Sequence, residues 1–152
     1  MTEPNTIIVV GNCGQHVRNF ILINRRDNDI YELWPEIEIA TTLYGEIVKF
    51  YPRNNRNIME SIAYSILDSN RFSCLWIGTL HEIPILTVQC MLRCGIISST
   101  NVKIFYADDE GGSGVELLLD KNCDIVNGEY LKHFELGFDL RFGKWERRDF
   151  GI

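Results

Sequence analysis

The run Phe72-Ser73-Cys74-Leu75-Trp76-Ile77-Gly78 narrows the fold most, because it is almost wholly apolar and carries no charge. It is bounded by Asn70-Arg71 and by Thr79-Leu80-His81-Glu82, and such a run reads as a strand covered on both faces, as in a parallel sheet. The residues around it follow the same grammar. Pro84 fits the first turn of a helix over 84–94, Glu82 suits its positive end, and Gly95 fits just past its last turn. Val102-Lys103-Ile104-Phe105-Tyr106-Ala107 is the next strand. Upstream, Asn57 and Glu60 resemble a capping box, and Ile58, Ile62 and Ile66 beside Met59, Ala63 and Leu67 make an apolar stripe, so a helix is expected over 57–69. Glu46-Ile47-Val48-Lys49-Phe50-Tyr51 supplies a strand before it. Strand, helix, strand, helix, strand over 46–107 predicts crossovers in a parallel sheet. The acidic, glycine-rich turn Asp108-Asp109-Glu110-Gly111-Gly112-Ser113-Gly114 then returns residues 115–119 antiparallel to the preceding strand. The expected fold is α/β, a single domain over 1–152, with a mixed, mostly parallel sheet, flanking helices and a C-terminal antiparallel hairpin.

Residues 1–50 read as a β-rich N-terminal part. Thr6-Ile7-Ile8-Val9-Val10 is a β-branched strand closed by the turn Gly11-Asn12-Cys13-Gly14. A phosphate-binding loop would need a Gly-Lys-Ser/Thr close, but this loop continues Gln15-His16-Val17-Arg18, so an ordinary turn is expected. Residues 17–23 and 30–33 read as two strands of a hairpin around Arg25-Arg26-Asp27-Asn28-Asp29. Trp34-Pro35-Glu36-Ile37-Glu38-Ile39 alternates with a period of two, as an exposed strand or an irregular connection does. Glu36, Glu38 and Glu46 are therefore expected on a solvated face rather than as acid-base or metal carboxylates. The aromatic, mixed-charge tail at 134–145 is expected to pack against the sheet.

Charge and cysteine usage exclude several function classes. With 152 residues and a net charge of -6, the chain is long enough for one core and too acidic for a general nucleic-acid or anionic-membrane surface. Its basic pairs, Arg25-Arg26, Arg53 with Arg56, and Arg147-Arg148, are scattered rather than aligned in a stripe, so direct nucleic-acid contact is not expected. No apolar run approaches the roughly 18 residues of a membrane helix, and the start Met1-Thr2-Glu3-Pro4-Asn5 is unlike a secretion signal; a cytoplasmic location is expected. The cysteines Cys13, Cys74, Cys90, Cys94 and Cys123 are odd in number and lie mostly in apolar segments, the pattern of buried thiols. Cys90 and Cys94 can share a helix face, but no second close Cys or His pair completes a zinc site.

Taken together, Thr79-Leu80-His81-Glu82, Met91-Leu92-Arg93-Cys94-Gly95-Ile96-Ile97-Ser98, Asn101-Val102-Lys103-Ile104-Phe105-Tyr106, Glu110-Gly111-Gly112-Ser113 and Val115-Glu116-Leu117 resemble a family segment. The resemblance is to the C-terminal part of ABC-type AAA ATPases related to the overcoming-lysogenization-defect and RecF-like proteins. Glu135-Leu136-Gly137-Phe138-Asp139 is similar to the family's closing piece, so the ATPase-like portion covers about 51–142. The resemblance implies that His81 occupies the switch position facing the terminal phosphate of ATP. It does not imply hydrolysis: the only Gly-Lys pair, Gly143-Lys144, is followed by Trp145, and no strand ends in the paired acids that hold magnesium. Without phosphate clamping and metal charge, a switch histidine supports no phosphoryl transfer.

Two functions compete on these residues. The first is a non-hydrolysing, degenerate ATPase-like interaction protein, an accessory subunit to a larger protein partner, in which His81 contacts nucleotide phosphate if the partner completes a composite ATP and magnesium site. The resemblance carries a context of prokaryotic anti-phage defence or mobile elements, and a homo-oligomer is compatible with it. Trp34, Tyr44, Tyr51 and Trp145 are candidate interface anchors. The second is a small hydrolase or nucleotide-processing enzyme using His16 or His81 as base with Glu82, Asp108, Asp109 or Glu110 as acid or metal ligand. A solvated turn is the simpler account of Asp108-Asp109-Glu110.

Overall fold

The computed structural model describes residues 5–33, 55–69, 74–80 and 83–131. In chain order they form β1 (Thr6–Val10), α1 (Gly14–Asn24), β2 (Ile30–Leu33), α2 (Asn55–Ser69), β3 (Leu75–Thr79), α3 (Ile83–Arg93), β4 (Val102–Ala107) and β5 (Gly114–Leu117). Short 3-10 turns lie at Ser99–Asn101 and Gly128–Leu131. The strands make one sheet in the order β2-β3-β1-β4-β5. β2, β3, β1 and β4 run parallel, and β5 returns antiparallel on β4. This is the α/β architecture expected from the sequence.

Burial explains the order. Every residue of β1 and of β3 is buried, which suits strands with neighbours on both sides and helices above and below. Alternation along β1 then divides the core. Ile8 and Val10 face α2 and α3, packing with Ile62, Ile66, Ile77, Ile83, Met91 and Ile104. Ile7 and Val9 face α1, packing with Val17, Phe20, Ile21, Trp76 and Ala107. The connection through α1 travels one way along the sheet and those through α2 and α3 travel the other way. A uniform right-handed crossover therefore requires α1 on the face opposite α2 and α3, which is where the packing of the described residues puts it. α3 is buried from Ile83 through Leu92. Its outer side is covered by residues 120–124, to which Gln89 donates at the Cys123 carbonyl (2.9 Å) and Arg93 pairs with Asp124.

One expected element is corrected. Residues 17–23 are not a strand of a hairpin but the body of α1, and β2 pairs in parallel with β3. The β-branched content suggests a strand, but burial of Gly14, Val17, Phe20 and Ile21 follows helical spacing, and Leu22 and Ile23 are left exposed. The segment at 34–39, expected as an exposed strand or an irregular connection, the expected strand at 46–51 and the tail at 134–145 lie outside the described residues.

Candidate functional site

In open α/β sheets the natural binding position is the carboxyl edge of the parallel strands. Here β1 and β3 end level with one another and β4 runs one residue further, Val10 being the register partner of both Thr79 and Tyr106. Three segments therefore leave the sheet side by side: the turn at 11–14, the connection that starts at Leu80, and the acidic turn at 108–113.

The first segment is tightly placed. A Cβ on Gly11 would sit 3.0 Å from Val17 Cγ2 and 3.1 Å from the Ala107 carbonyl oxygen, so glycine lets the chain pass between α1 and the end of β4. Cys13 is the N-cap of α1 in extended conformation, its side chain makes no capping bond, and no acidic residue occupies the first turn. The positive end of the helix dipole and its leading N–H groups thus point to the strand ends.

The third segment is a self-contained turn clamped by α1. Asp109 accepts from the Gly111 N–H (2.8 Å), from the Ser113 N–H (3.4 Å) and from the Ser113 hydroxyl, which also approaches Asp108 at 3.1 Å. Asn19 donates to the Glu110 carbonyl (3.0 Å) and Asn24 to the Gly112 carbonyl (3.1 Å). Gly112 has φ of 84°, and a Cβ there would meet Ile23 Cδ1 at 2.7 Å, so the turn admits no side chain where it touches α1. Hydrogen bonds from the Ser113 hydroxyl and then the Gly111 N–H hold the Asp109 carboxyl below its ordinary range, and the charge of His16 adds to the effect.

His16 therefore stands at this edge beside the acidic turn, and its Nδ1 is buried without a hydrogen-bond partner. His81 and Glu82 lie outside the described residues, between Leu80 and the start of α3 at Ile83. Asp108, Asp109 and Glu110 are exposed, as a solvated turn requires. Ser113 is visible in the sequence as a turn residue, but Asn19 and Asn24, which clamp the turn, are not; nothing local marks a helical asparagine as the partner of a turn some ninety residues away.

Other candidates are placed more simply. Arg25 stacks over the Tyr31 ring at 4.8 Å and donates to the Asp29 carbonyl at 3.1 Å, so it is engaged within the α1–β2 connection. Glu36, Glu38, Glu46, Arg53, Arg147, Arg148, Trp34, Tyr44, Tyr51 and Trp145 lie outside the described residues, and Arg56 falls within α2. None of the five cysteines is disulfide-bonded; Cys90 is buried and the others are half-buried. Among the described residues no group of three or more His, Cys, Asp or Glu can hold a metal ion, and no helix is long and apolar enough to cross a membrane. Compared with known proteins, the chain matches no protein-family model, no curated protein and no solved structure.

Proposed function

We infer that the chain is a non-hydrolysing, ATPase-like interaction domain, an accessory subunit whose carboxyl edge contributes part of a nucleotide-phosphate site to a larger protein partner. The observation that supports this most is the pairing of β1 with β3 in register. The strand that precedes His81 ends beside the strand that feeds the turn at 11–14 and the positive end of α1. A phosphate at this edge would meet a helix N-terminus and the end of β3, which His81 follows by two residues in the sequence.

The same edge supports a reading without turnover and with a partner. The turn at 11–14 brings no lysine and no magnesium-binding hydroxyl, and Asp108, Asp109 and Glu110 stand at the neighbouring strand end. Three exposed carboxylates oppose a triphosphate unless magnesium and cations from another chain offset them. An ATPase-like ancestry, and the anti-phage or mobile-element setting it suggests, rest on the residue pattern over 51–142.

The hydrolase alternative rests on His16 standing beside Asp109. It is the weaker reading, because both Asp109 oxygens already hold the turn through Gly111 and Ser113. Recruiting that carboxylate for a metal or a proton relay would dismantle the turn. Calorimetric titration with magnesium-ATP, together with a phosphate-release assay, tests the proposal: weak binding that depends on His81, with no turnover, is expected.

A further inference from the structure

The segment after β5 contains Asn127-Gly128, the one place in the chain where asparagine precedes glycine. Such a pair is chemically labile, because glycine has no side chain to hinder its backbone nitrogen from turning back on the asparagine carboxamide. In this fold the carboxamide is engaged. Asn127 is half-buried; its Nδ2 donates to the Glu116 carbonyl (2.9 Å) and its Oδ1 accepts the Leu118 N–H (2.8 Å). One side chain thus does for the outer edge of β5 what the backbone of a neighbouring strand does, meeting a carbonyl and an N–H two residues apart.

The residues between form a small hairpin. Val126 donates to the Leu118 carbonyl (2.8 Å), Leu119 bridges Ile125, and the Asp120 N–H donates to the Asp124 carbonyl (2.9 Å). Its tip rests on α3 through Gln89 and Arg93. Asn127 is the latch that ties its returning end to β5.

We propose that Asn127 is a deamidation site whose rate the fold sets, and that its conversion unlatches this hairpin from β5. The Gly128 backbone nitrogen attacks Cγ of Asn127. The N–Cγ bond forms, the Cγ–Nδ2 bond breaks, and Nδ2 leaves as ammonia with the proton that the Gly128 N–H gives up through solvent. One water then opens the cyclic imide at either carbonyl, leaving aspartate or isoaspartate. Attack makes Cγ tetrahedral, which takes Oδ1 and Nδ2 out of the plane in which they bridge Glu116 and Leu118, so the latch must open first. In the aspartate product the carboxylate still accepts from Leu118 but has no N–H for the Glu116 carbonyl, so two acceptors face each other. The site is separate from the carboxyl edge and does not depend on its function.

The test holds the protein at mildly alkaline pH, native or unfolded in urea, and follows the tryptic peptide 122–132 by mass spectrometry for the gain of one dalton that marks an amide turned acid. Conversion at Asn127 is expected in both, at least about tenfold slower in the native protein, as opening against two hydrogen bonds requires. Asn127→Gln, whose longer side chain closes a ring far less readily, should suppress the gain. In Asn127→Asp, amide exchange at Leu118 and Val126 should be about tenfold faster, while Ile8 and Ile77 in the core strands exchange as in the wild type, which separates local unlatching from loss of fold. Equal rates in native and unfolded protein, no conversion in the native protein, a gain that persists in Asn127→Gln, or unchanged exchange at Leu118 in Asn127→Asp would overturn the proposal.

Discussion

Replacing Gly114 with alanine should destabilise the protein, although the same change in an ordinary strand helps. Gly114 opens β5 opposite Ala107. An added Cβ would lie 2.6 Å from the Tyr106 carbonyl oxygen, and 2.7 Å and 3.1 Å from Phe20 Cε2 and Cδ2. The carbonyl belongs to the β4 backbone and cannot retreat without disturbing the ladder. Phe20 cannot retreat either, because it is nearly fully buried between Trp76 and Phe105. Relief of backbone entropy is worth about 0.5–1 kcal/mol in favour of alanine. Overpacking against two fixed neighbours costs about 1–3 kcal/mol, toward the upper end where backbone must shift, so the net loss should be about 1–2 kcal/mol. For a chain of this length each kcal/mol lowers the melting temperature by about 2–4 °C. Urea unfolding followed by tryptophan fluorescence and far-ultraviolet circular dichroism measures it. Gly128→Ala is the internal control: its nearest neighbour would be Ile125 Cγ2 at 3.9 Å, and no loss is expected. Gly114→Ala at or above wild-type stability would refute the close packing of β5 on Phe20.

Two further outcomes follow from the contacts described. Asp109 has its carboxyl held below the ordinary range in the folded state, so its contribution is present above the unfolded value and is lost as pH falls through the folded one. In Asp109→Asn the acid-side decline in stability should be shallower, and amide exchange at Gly111 and Ser113 should be faster at neutral pH. Asp29→Ala removes the acceptor of the Trp76 indole and of the exposed Arg26 N–H, and should cost about 1–3 kcal/mol, chiefly for the part-buried indole donor left unpaired. It should also shift the Trp76 emission, and unchanged stability and emission in that variant would show that the α1–β2 connection is not anchored there.

The fold was legible where the apolar pattern and its bounding residues fit one kind of element, and it fails to show where the pattern fits two. α2, β3, α3 and β4 stand in the sequence because each is apolar on every side that meets the core, and their turn chemistry marks both ends. α1 is hidden because the continuous apolar run Phe20-Ile21-Leu22-Ile23 mimics a strand, while the helix buries Phe20 and Ile21 and leaves Leu22 and Ile23 exposed. That error also hid the meaning of residues 11–14, which are not a simple strand end but the entry to a helix at the centre of the sheet. The acidic turn was visible from its composition, whereas its clamps at Asn19 and Asn24 were not. The pairing of Trp76 with Asp29 spans 47 residues, and nothing in either neighbourhood announces it. Strand order is likewise a product of non-local packing, so local pattern gave the parallel class without placing β1 between β3 and β4.

The central claim is that the carboxyl edge keeps a phosphate contact and has lost hydrolysis. Calorimetric titration of magnesium-ATP into wild type and His81→Ala, with released phosphate measured in parallel, tests it most directly. Saturable binding in the millimolar range that disappears in His81→Ala, without phosphate release, is the predicted result. Absence of binding at millimolar nucleotide, binding unaffected by His81→Ala, or steady release of phosphate would contradict it.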